Sequence, residues 1–585
     1  MCGIFGYFDR NGISLNSDEL KKMGDAIRHR GPDDFGVFES DGVSIGNQRL
    51  SIIDLENGHQ PFISEDGQVA VVQNGEIYNY LELAKELKDI GNPCKTQSDT
   101  EVLLKLYQSY GINFLDKLNG MFSIAIYDNR NKVLHLIRDR VGVKPLYIHD
   151  NGSRIYFASE IKALLRMNIP RNLDREALNH YLSFNYVPPP LTLFEGVRHL
   201  MPGHLMTISR EKTETKCWWN LSEKCNIKHQ TDKEWIEEFN TLLHSATELR
   251  MRADVPYGAF LSGGVDSSSV VAHMAQVSKH PIKTFSIGFE DPQYDESKYA
   301  LMASQKFGTE HFTELFDMNG MNRWPNMIYF CDQPHGDVSF IPTHQVAGLA
   351  RQHVKMVLTG DGGDELFAGY DKYLTFFSRE LPKDYLRDYF NSISVFSEEQ
   401  KKSLFIDNYS HAQSSVEFAN KIFNKVEHCD PINQALYFDT MMLLPGNNLV
   451  KPDRMGMAVS LEARTPFLDY RMVEFAFSMP GTLKLREGET KYIYKKAVSQ
   501  LIGEELTYRK KQMFTVPIGD WFRGKLSQYV KDLLLSNQFI DRRLFKPEVV
   551  ACLVEQHLAG IANYTRELRA LAALEIWCRR FLDES

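Results

Sequence analysis

Tyr257-Gly258-Ala259-Phe260-Leu261-Ser262-Gly263-Gly264-Val265-Asp266-Ser267-Ser268 decides how the larger half of this chain folds. The first five residues suit a short buried strand, and they run into a serine–glycine turn. From Ser267 onward, Val270, Val271, Met274 and Val277 recur at helical spacing, and Thr284-Phe285-Ser286-Ile287 supplies another strand. Strand, turn, helix, strand predicts an α/β domain with a parallel sheet. The run Val354 to Leu358 predicts a further strand, while Arg471 to Phe477 and Arg566 to Phe581 predict a helical C-terminal part.

Upstream the pattern changes. Polar residues dominate from 211 to 232, which is expected to connect two domains, 2–210 and 233–585. In the first of these, Phe122 to Tyr127 alternates in character, Asp128-Asn129-Arg130-Asn131 offers turn chemistry, and Val133 to Ile137 returns, a hairpin pattern. Leu81 to Lys88 and Thr100 to Tyr110 predict helices beside the strands, so layered sheets with helices, an α+β domain, are expected.

Bulk properties narrow the function classes. A chain of 585 residues is too long for one core, and 43% hydrophobic with 24% charged residues is ordinary globular composition. The net charge of -9 and the lack of a basic stripe argue against nucleic acid as a partner. Eight scattered cysteines without a C-x-x-C pair point to neither a disulfide scaffold nor zinc, so reduced thiols and a cytoplasmic location are expected. The start lacks a secretory pattern, and no uncharged apolar run approaches the ~18 residues of a membrane span.

The chain begins Met1-Cys2-Gly3-Ile4. Removal of Met1 would leave nucleophile and base on one residue, a thiol beside an α-amine whose pKa is about 7.7–8.0. Asn74-Gly75 can offer a side-chain amide and an unobstructed backbone N–H to an oxyanion. Arg49, in Arg49-Leu50-Ser51-Ile52-Ile53, can grip a carboxylate with its planar fork, and Asp99 can pair with an ammonium group. An amino acid carrying an amide needs such contacts. In the other half, the Ser262–Ser268 loop at a helix start suits a phosphate, although it is not a G-x-x-x-x-G-K-[ST] loop. Thr359-Gly360-Asp361-Gly362-Gly363-Asp364-Glu365 brings three carboxylates with little bulk and suits Mg²⁺ near phosphates. Lys491 is a candidate cation for charge developing at an acyl phosphate.

With Cys2, the segments Arg28 to Asp33, Arg49 to Asp54 and Asn74 to Asn79 resemble the class II glutamine amidotransferase domain, of the N-terminal-nucleophile type, over residues 2–210. That resemblance implies attack of Cys2 on glutamine, an oxyanion hole from Asn74 and Gly75, and glutamine contacts from Arg49, Leu50, Ser51, Ile52, Ile53, Glu76 and Asp99. Ser-Gly-Gly-x-Asp-Ser resembles the loop of ATP pyrophosphatases. The two halves together, with Val450 to Arg454 and Leu461 to Asp469, resemble the glutamine-dependent asparagine synthetase family. By that resemblance Leu261, Ser262, Gly263, Gly264, Asp266, Ser267, Ile287, Thr359 and Gly360 contact ATP, and Asp266 and Asp364 hold Mg²⁺. Asp361 and Lys491 would serve the formation of an acyl-adenylate from aspartate, which ammonia then converts to asparagine. A homodimer is compatible with it. One departure bears on the acceptor: Asp361 stands where well-known members carry glutamate. Amidation of another carboxylate, a sugar uronic acid or natural-product acid, is the alternative expectation.

Overall fold

The computed structural model describes residues 2–316, 318–406, 412–510 and 516–583. Its first half stacks two antiparallel sheets. One contains β1 (Gly3–Asp9), β2 (Asp34–Ser40) and β3 (Val43–Arg49), and the other β4 (Phe62–Ile63), β5 (Val69–Ile77), β6 (Gly120–Asp128) and β7 (Val133–Arg138). The first is completed by β8 (Tyr147–Asp150), β9 (Arg154–Ala158) and β10 (Val197–His199), and the second by β11 (His204–Ile208) and β12 (Thr213–Cys217).

Alternation along each strand sorts side chains between layers. Ile4 and Phe8 of β1 meet Ala125 and Tyr127 of β6 between the sheets. On the outer face of one sheet, Phe5 and Tyr7 pack on Leu20 and Met23 of the helix Ser17–Ala26. On that of the other, Phe122, Ile124 and Ile126 pack on Leu83, Leu87 and Leu103 of the helices Tyr80–Asp89 and Asp99–Tyr110. The result is an α/β/β/α sandwich. The predicted hairpin is present, β6 to β7, although β6 is buried on both faces. Part of the stretch expected to connect the domains is itself a strand. β12 pairs with β11 as an exposed edge, where polar side chains cost nothing.

The second half contains β13 (Tyr257–Phe260), β14 (Lys283–Gly288), β15 (Glu310–Leu315), β16 (Met356–Leu358) and β17 (Glu462–Arg464), ordered β15-β14-β13-β16-β17 and wholly parallel. Strand order reverses direction between β13 and β16, so a crevice opens outside their carboxyl ends. Helices from Phe340 to Cys578 make up most of the remainder.

A sealed ion cluster joins the halves. Arg30 pairs with Glu160 at 2.8 Å and with Asp453 at 2.9 Å, Arg454 with Glu160 at 2.7 Å, and Lys162 with Asp332 at 2.9 Å. Lys144 lies 3.4 Å from Asp453. Burial alone would push Asp453 up, but the Arg30 and Lys144 charges hold its carboxyl at about 2, below the ordinary 3.8. Its stabilisation is therefore intact above about pH 4 and is lost as the pH falls toward about 2. Asp453→Ala leaves Arg30 and Lys144 short of counter-charge and is expected to cost about 3–5 kcal/mol in urea unfolding at neutral pH. An unchanged midpoint would show that the cluster does not hold the halves together.

Candidate functional site

Cys2 immediately precedes β1 and is 5% exposed; Met1, whose removal the terminal-nucleophile chemistry requires, lies outside the described residues. The Cys2 backbone is clamped at both ends. Its N–H donates to Asn74 Oδ1 at 3.3 Å, and its carbonyl accepts from Arg30 Nε at 3.0 Å. Burial pushes the Cys2 thiol up, opposed by the backbone of Leu50 and by the Arg49 charge. Asn74 Nδ2 donates to Ser159 Oγ at 3.2 Å, and that oxygen also accepts from the N–H of Ile4 at 3.0 Å.

Gly75 follows in β5 opposite Phe122. Phe122 turns both its backbone groups to Asp139, accepting from its N–H at 2.8 Å and donating to its carboxylate at 3.2 Å. The Gly75–Phe122 pair is therefore a non-hydrogen-bonded one, and the Gly75 N–H points away from β6. At φ 153° a Cβ on Gly75 would sit 2.0 Å from the Met121 carbonyl oxygen. Gly75→Ala is expected to reduce glutamine hydrolysis by about 10²-fold or more through displacement of that N–H. A glutaminase assay at parental rate would remove Gly75 from the site.

Around these groups, Arg49 ends β3, 4% exposed, and donates to the carbonyls of Ile53 at 3.0 Å and Asp54 at 2.7 Å. It thereby wraps Leu50, Ser51, Ile52 and Ile53 about its guanidinium. Ser51 N–H donates to Asp33 at 2.9 Å, while Leu50, Ile52 and Ile53 join the core that holds Leu261. Asp99 begins its helix and accepts from Gln73 Nε2 at 2.6 Å and the Ile77 N–H at 3.0 Å. Burial pushes the Asp99 and Glu76 carboxyls up, and Glu462 pushes Glu76 further.

The second group of predicted residues meets in the crevice between β13 and β16. Leu261 extends β13, 1% exposed, with its N–H on the Phe285 carbonyl at 2.9 Å, and Ile287 lies on the neighbouring β14. Gly263 has φ 72°, and a Cβ there would meet Tyr299 at 2.3 Å. Gly264 then starts the helix Val265–Val277 without a side-chain cap, so the first-turn N–H groups face the crevice. Ser262 and Ser267 hydroxyls lie 3.2 Å apart and brace the loop. Opposite, Gly360 abuts the Ser267 backbone, and Thr359 Oγ1 donates to Asp361 at 2.6 Å. Burial pushes the Asp361 carboxyl up, Lys451 opposes the rise, and Asp266 and Asp364 add to it.

Asp266 and Asp364 converge on one point. Lys491 Nζ occupies it, 2.6 Å from Asp266 and 2.7 Å from Asp364. Lys491 is 3% exposed and left-handed at φ 56°, a strained backbone held by its surroundings. An ammonium between two carboxylates is a stand-in cation, so this pair fits Mg²⁺, which takes one or two carboxylates and completes its shell with phosphates and water. Among the described residues no set of three or more metal-binding side chains converges.

Of the residues that bridge the two groups, sequence reading gave roles to Glu76 and Asp361 but none to Arg464 and Thr465. Glu76 lies 3.5 Å from Arg464, whose carbonyl accepts the Thr359 N–H at 2.8 Å, and the adjacent Thr465 donates to the Asp361 carbonyl. A small cavity lies along this line, walled by Val143, Lys144, Thr359, Asp361, Leu449 and Pro452. Arg464 ends a strand in Leu461-Glu462-Ala463-Arg464-Thr465; a glutamate and an arginine two positions apart, and so on one face of a strand, were the available signal.

Among families of known proteins, the one described as asparagine synthase matches residues 238–579, and that described as glutamine amidotransferase domain matches residues 1–219. The chain is similar to the glutamine-hydrolyzing asparagine synthetase 1 of Bacillus subtilis, 35% identical over 99% of this chain and 96% of that protein. It is also similar to a putative glutamine-hydrolyzing asparagine synthetase of Mycobacterium bovis, 31% identical over 100% of this chain and 98% of that one. A further B. subtilis protein, glutamine-hydrolyzing asparagine synthetase 3, is 30% identical over 93% and 92%.

Proposed function

The chain belongs to the asparagine synthase family and carries a glutamine amidotransferase domain ahead of that region, and from this we propose that it makes asparagine from aspartate, glutamine and ATP. The observation that carries the reading is the continuity of the two residue groups through Glu76, Arg464, Thr465 and Asp361.

We assign glutamine hydrolysis to residues 2–210, the connection to 211–232 and synthesis to 233–585. Cys2 attacks the glutamine carboxamide, the outward N–H of Gly75 and the amide of Asn74 receive the oxyanion, and ammonia leaves as the thioester forms. Water then releases glutamate. Arg49, with Leu50 to Ile53, takes the α-carboxylate of glutamine, while Glu76 and Asp99 serve its ammonium group. In the crevice, the loop Ser262–Ser267 holds the β- and γ-phosphates of ATP, with Leu261, Ile287, Thr359 and Gly360 at the nucleoside. A carboxylate oxygen of aspartate attacks the α-phosphorus, pyrophosphate departs, and Asp361 orients the acceptor. Ammonia displaces AMP from the acyl-adenylate, while Lys491 stabilises the developing negative charge. With Mg²⁺ bound, Asp266 and Asp364 would hold it in place of the Lys491 ammonium, where it would neutralise charge on the pyrophosphate. Transfer inside the protein, on the side where the Val143–Pro452 cavity lies, would keep ammonia away from water, where it would be protonated and lose its lone pair.

Among the described residues no helix is long and apolar enough to cross a membrane; we extend the reading to a cytoplasmic enzyme working as a homodimer. The test is mass spectrometry on the purified protein with ¹⁵N-amide glutamine, aspartate, ATP and Mg²⁺. Labelled asparagine in step with AMP supports the reading. Glutamate alone overturns aspartate as acceptor.

A further inference from the structure

The crevice has a third wall beyond the ATP loops. A ten-residue π-helical stretch, Asp439–Asn448, runs into the helix Val450–Met457. Wide turns of this kind recur at functional sites because they re-aim side chains. Here the stretch ends in Asn447 and Asn448. Asn447 Oδ1 lies 3.1 Å from His335 Nδ1, and Asn448 Nδ2 donates to the Tyr370 hydroxyl at 2.8 Å and to Glu365. These bonds lock the stretch in place at the start of the next helix.

Lys451 stands on that helix. Its Nζ donates to Ser339 Oγ at 3.2 Å and lies 4.0 Å from Asp337 Oδ2, while Asp337 Oδ1 accepts the Ser339 N–H at 2.9 Å. The pair differs from the ion pairs at the domain interface. Those are sealed and mostly below 3 Å, whereas Lys451 and Asp337 sit at the outer limit of pairing, with side chains 21% and 27% exposed. A cation and an anion 4.0 Å apart and partly exposed can each hold one end of a zwitterion that lies alongside them. Lys451 is also the cation whose charge Asp361 feels most. The α-amino-acid end of aspartate lies two bonds from the carboxylate that is to be activated, so an acceptor reaching Asp361 with one end presents the other to this wall.

We propose that Lys451, Asp337 and Ser339 form the subsite for the α-amino-acid end of the acceptor, Lys451 and Ser339 taking the α-carboxylate and Asp337 the α-ammonium. The inference rests on the reading of the chain as an aspartate-activating enzyme and deepens it. It gives the pocket a reason to reject a sugar acid, which brings no ammonium and leaves Asp337 facing an unmatched group.

The experiment supplies nitrogen as an ammonium salt, which isolates synthesis from glutamine hydrolysis, and measures aspartate kinetics for the full-length parent, Lys451→Gln, Lys451→Arg and Asp337→Asn. Lys451→Gln and Asp337→Asn are expected to raise KM for aspartate about 10- to 100-fold, the loss of one charge-assisted hydrogen bond, with KM for ATP within about twofold. Lys451→Arg is expected to restore most of the loss. Thermal midpoints within about 2 °C of the parent separate binding from folding. An aspartate KM unchanged in both variants overturns the subsite and leaves the enzyme reading standing. A fall in thermal midpoint with KM unchanged marks a structural ion pair and overturns it equally. A parent that makes no asparagine overturns the reading, and the subsite with it.

Discussion

Cys2→Ala is expected to lower glutamine-dependent asparagine synthesis by about four orders of magnitude or more while synthesis from ammonium salts persists within a few-fold. The large loss follows because the thiol is the covalent nucleophile, and a missing nucleophile is not replaced by the groups around it. The persistence follows from geometry. Cys2 meets Asn74 and Arg30 in the first half, whereas Asp361, Asp364 and Lys491 meet in the crevice of the second, a separate group joined to the first through Glu76, Arg464 and Thr465. The substitution is small at a buried position, so the fold survives it. Parallel assays with glutamine and with ammonium chloride check the prediction; loss of both activities at an unchanged thermal midpoint would falsify the two-site arrangement.

Asp266→Asn is the complementary change and is expected to cut AMP formation by about 10²- to 10³-fold with either nitrogen source, glutamine hydrolysis remaining. Asp266 does two things at once. With Asp364 it makes the cation position, and it holds Lys491 Nζ at 2.6 Å. Asparagine matches the shape of aspartate but carries no charge, so the cation loses its stronger partner. Release of AMP and of glutamate, measured in one reaction, separates the two effects. AMP release at the parental rate would remove the loop from the chemistry.

Much of the site was legible because its chemistry is local. Ser262 to Ser268 and Thr359 to Asp364 each form one loop after one strand, so the parallel sheet needs only to bring two strand ends together, as β13 and β16 do. The same holds for Asn74-Gly75, whose N–H direction is set by strand pairing. What was not legible lies between elements. Arg30 was visible beside Arg28 and His29, yet nothing in those neighbours shows that it reaches both the Cys2 carbonyl and Asp453, 423 positions away. β12 was hidden for another reason. An edge strand exposed on both faces carries no hydrophobic period, so its polar residues read as a connection.

Covalent and backbone chemistry travels with the chain. A thiol next to an amine, a glycine turn before a helix and a carboxylate loop after a strand keep their meaning wherever the chain is folded, which is why family and reaction class could be read from letters alone. Coupling and selectivity do not travel that way. The sealed cluster of Arg30, Lys144, Glu160, Asp332, Asp453 and Arg454, the Glu76–Arg464–Thr465–Asp361 bridge and the loose Lys451–Asp337 pair all join residues far apart in sequence. Charges interact through distance and dielectric, both of which exist only after the two halves have packed and excluded water.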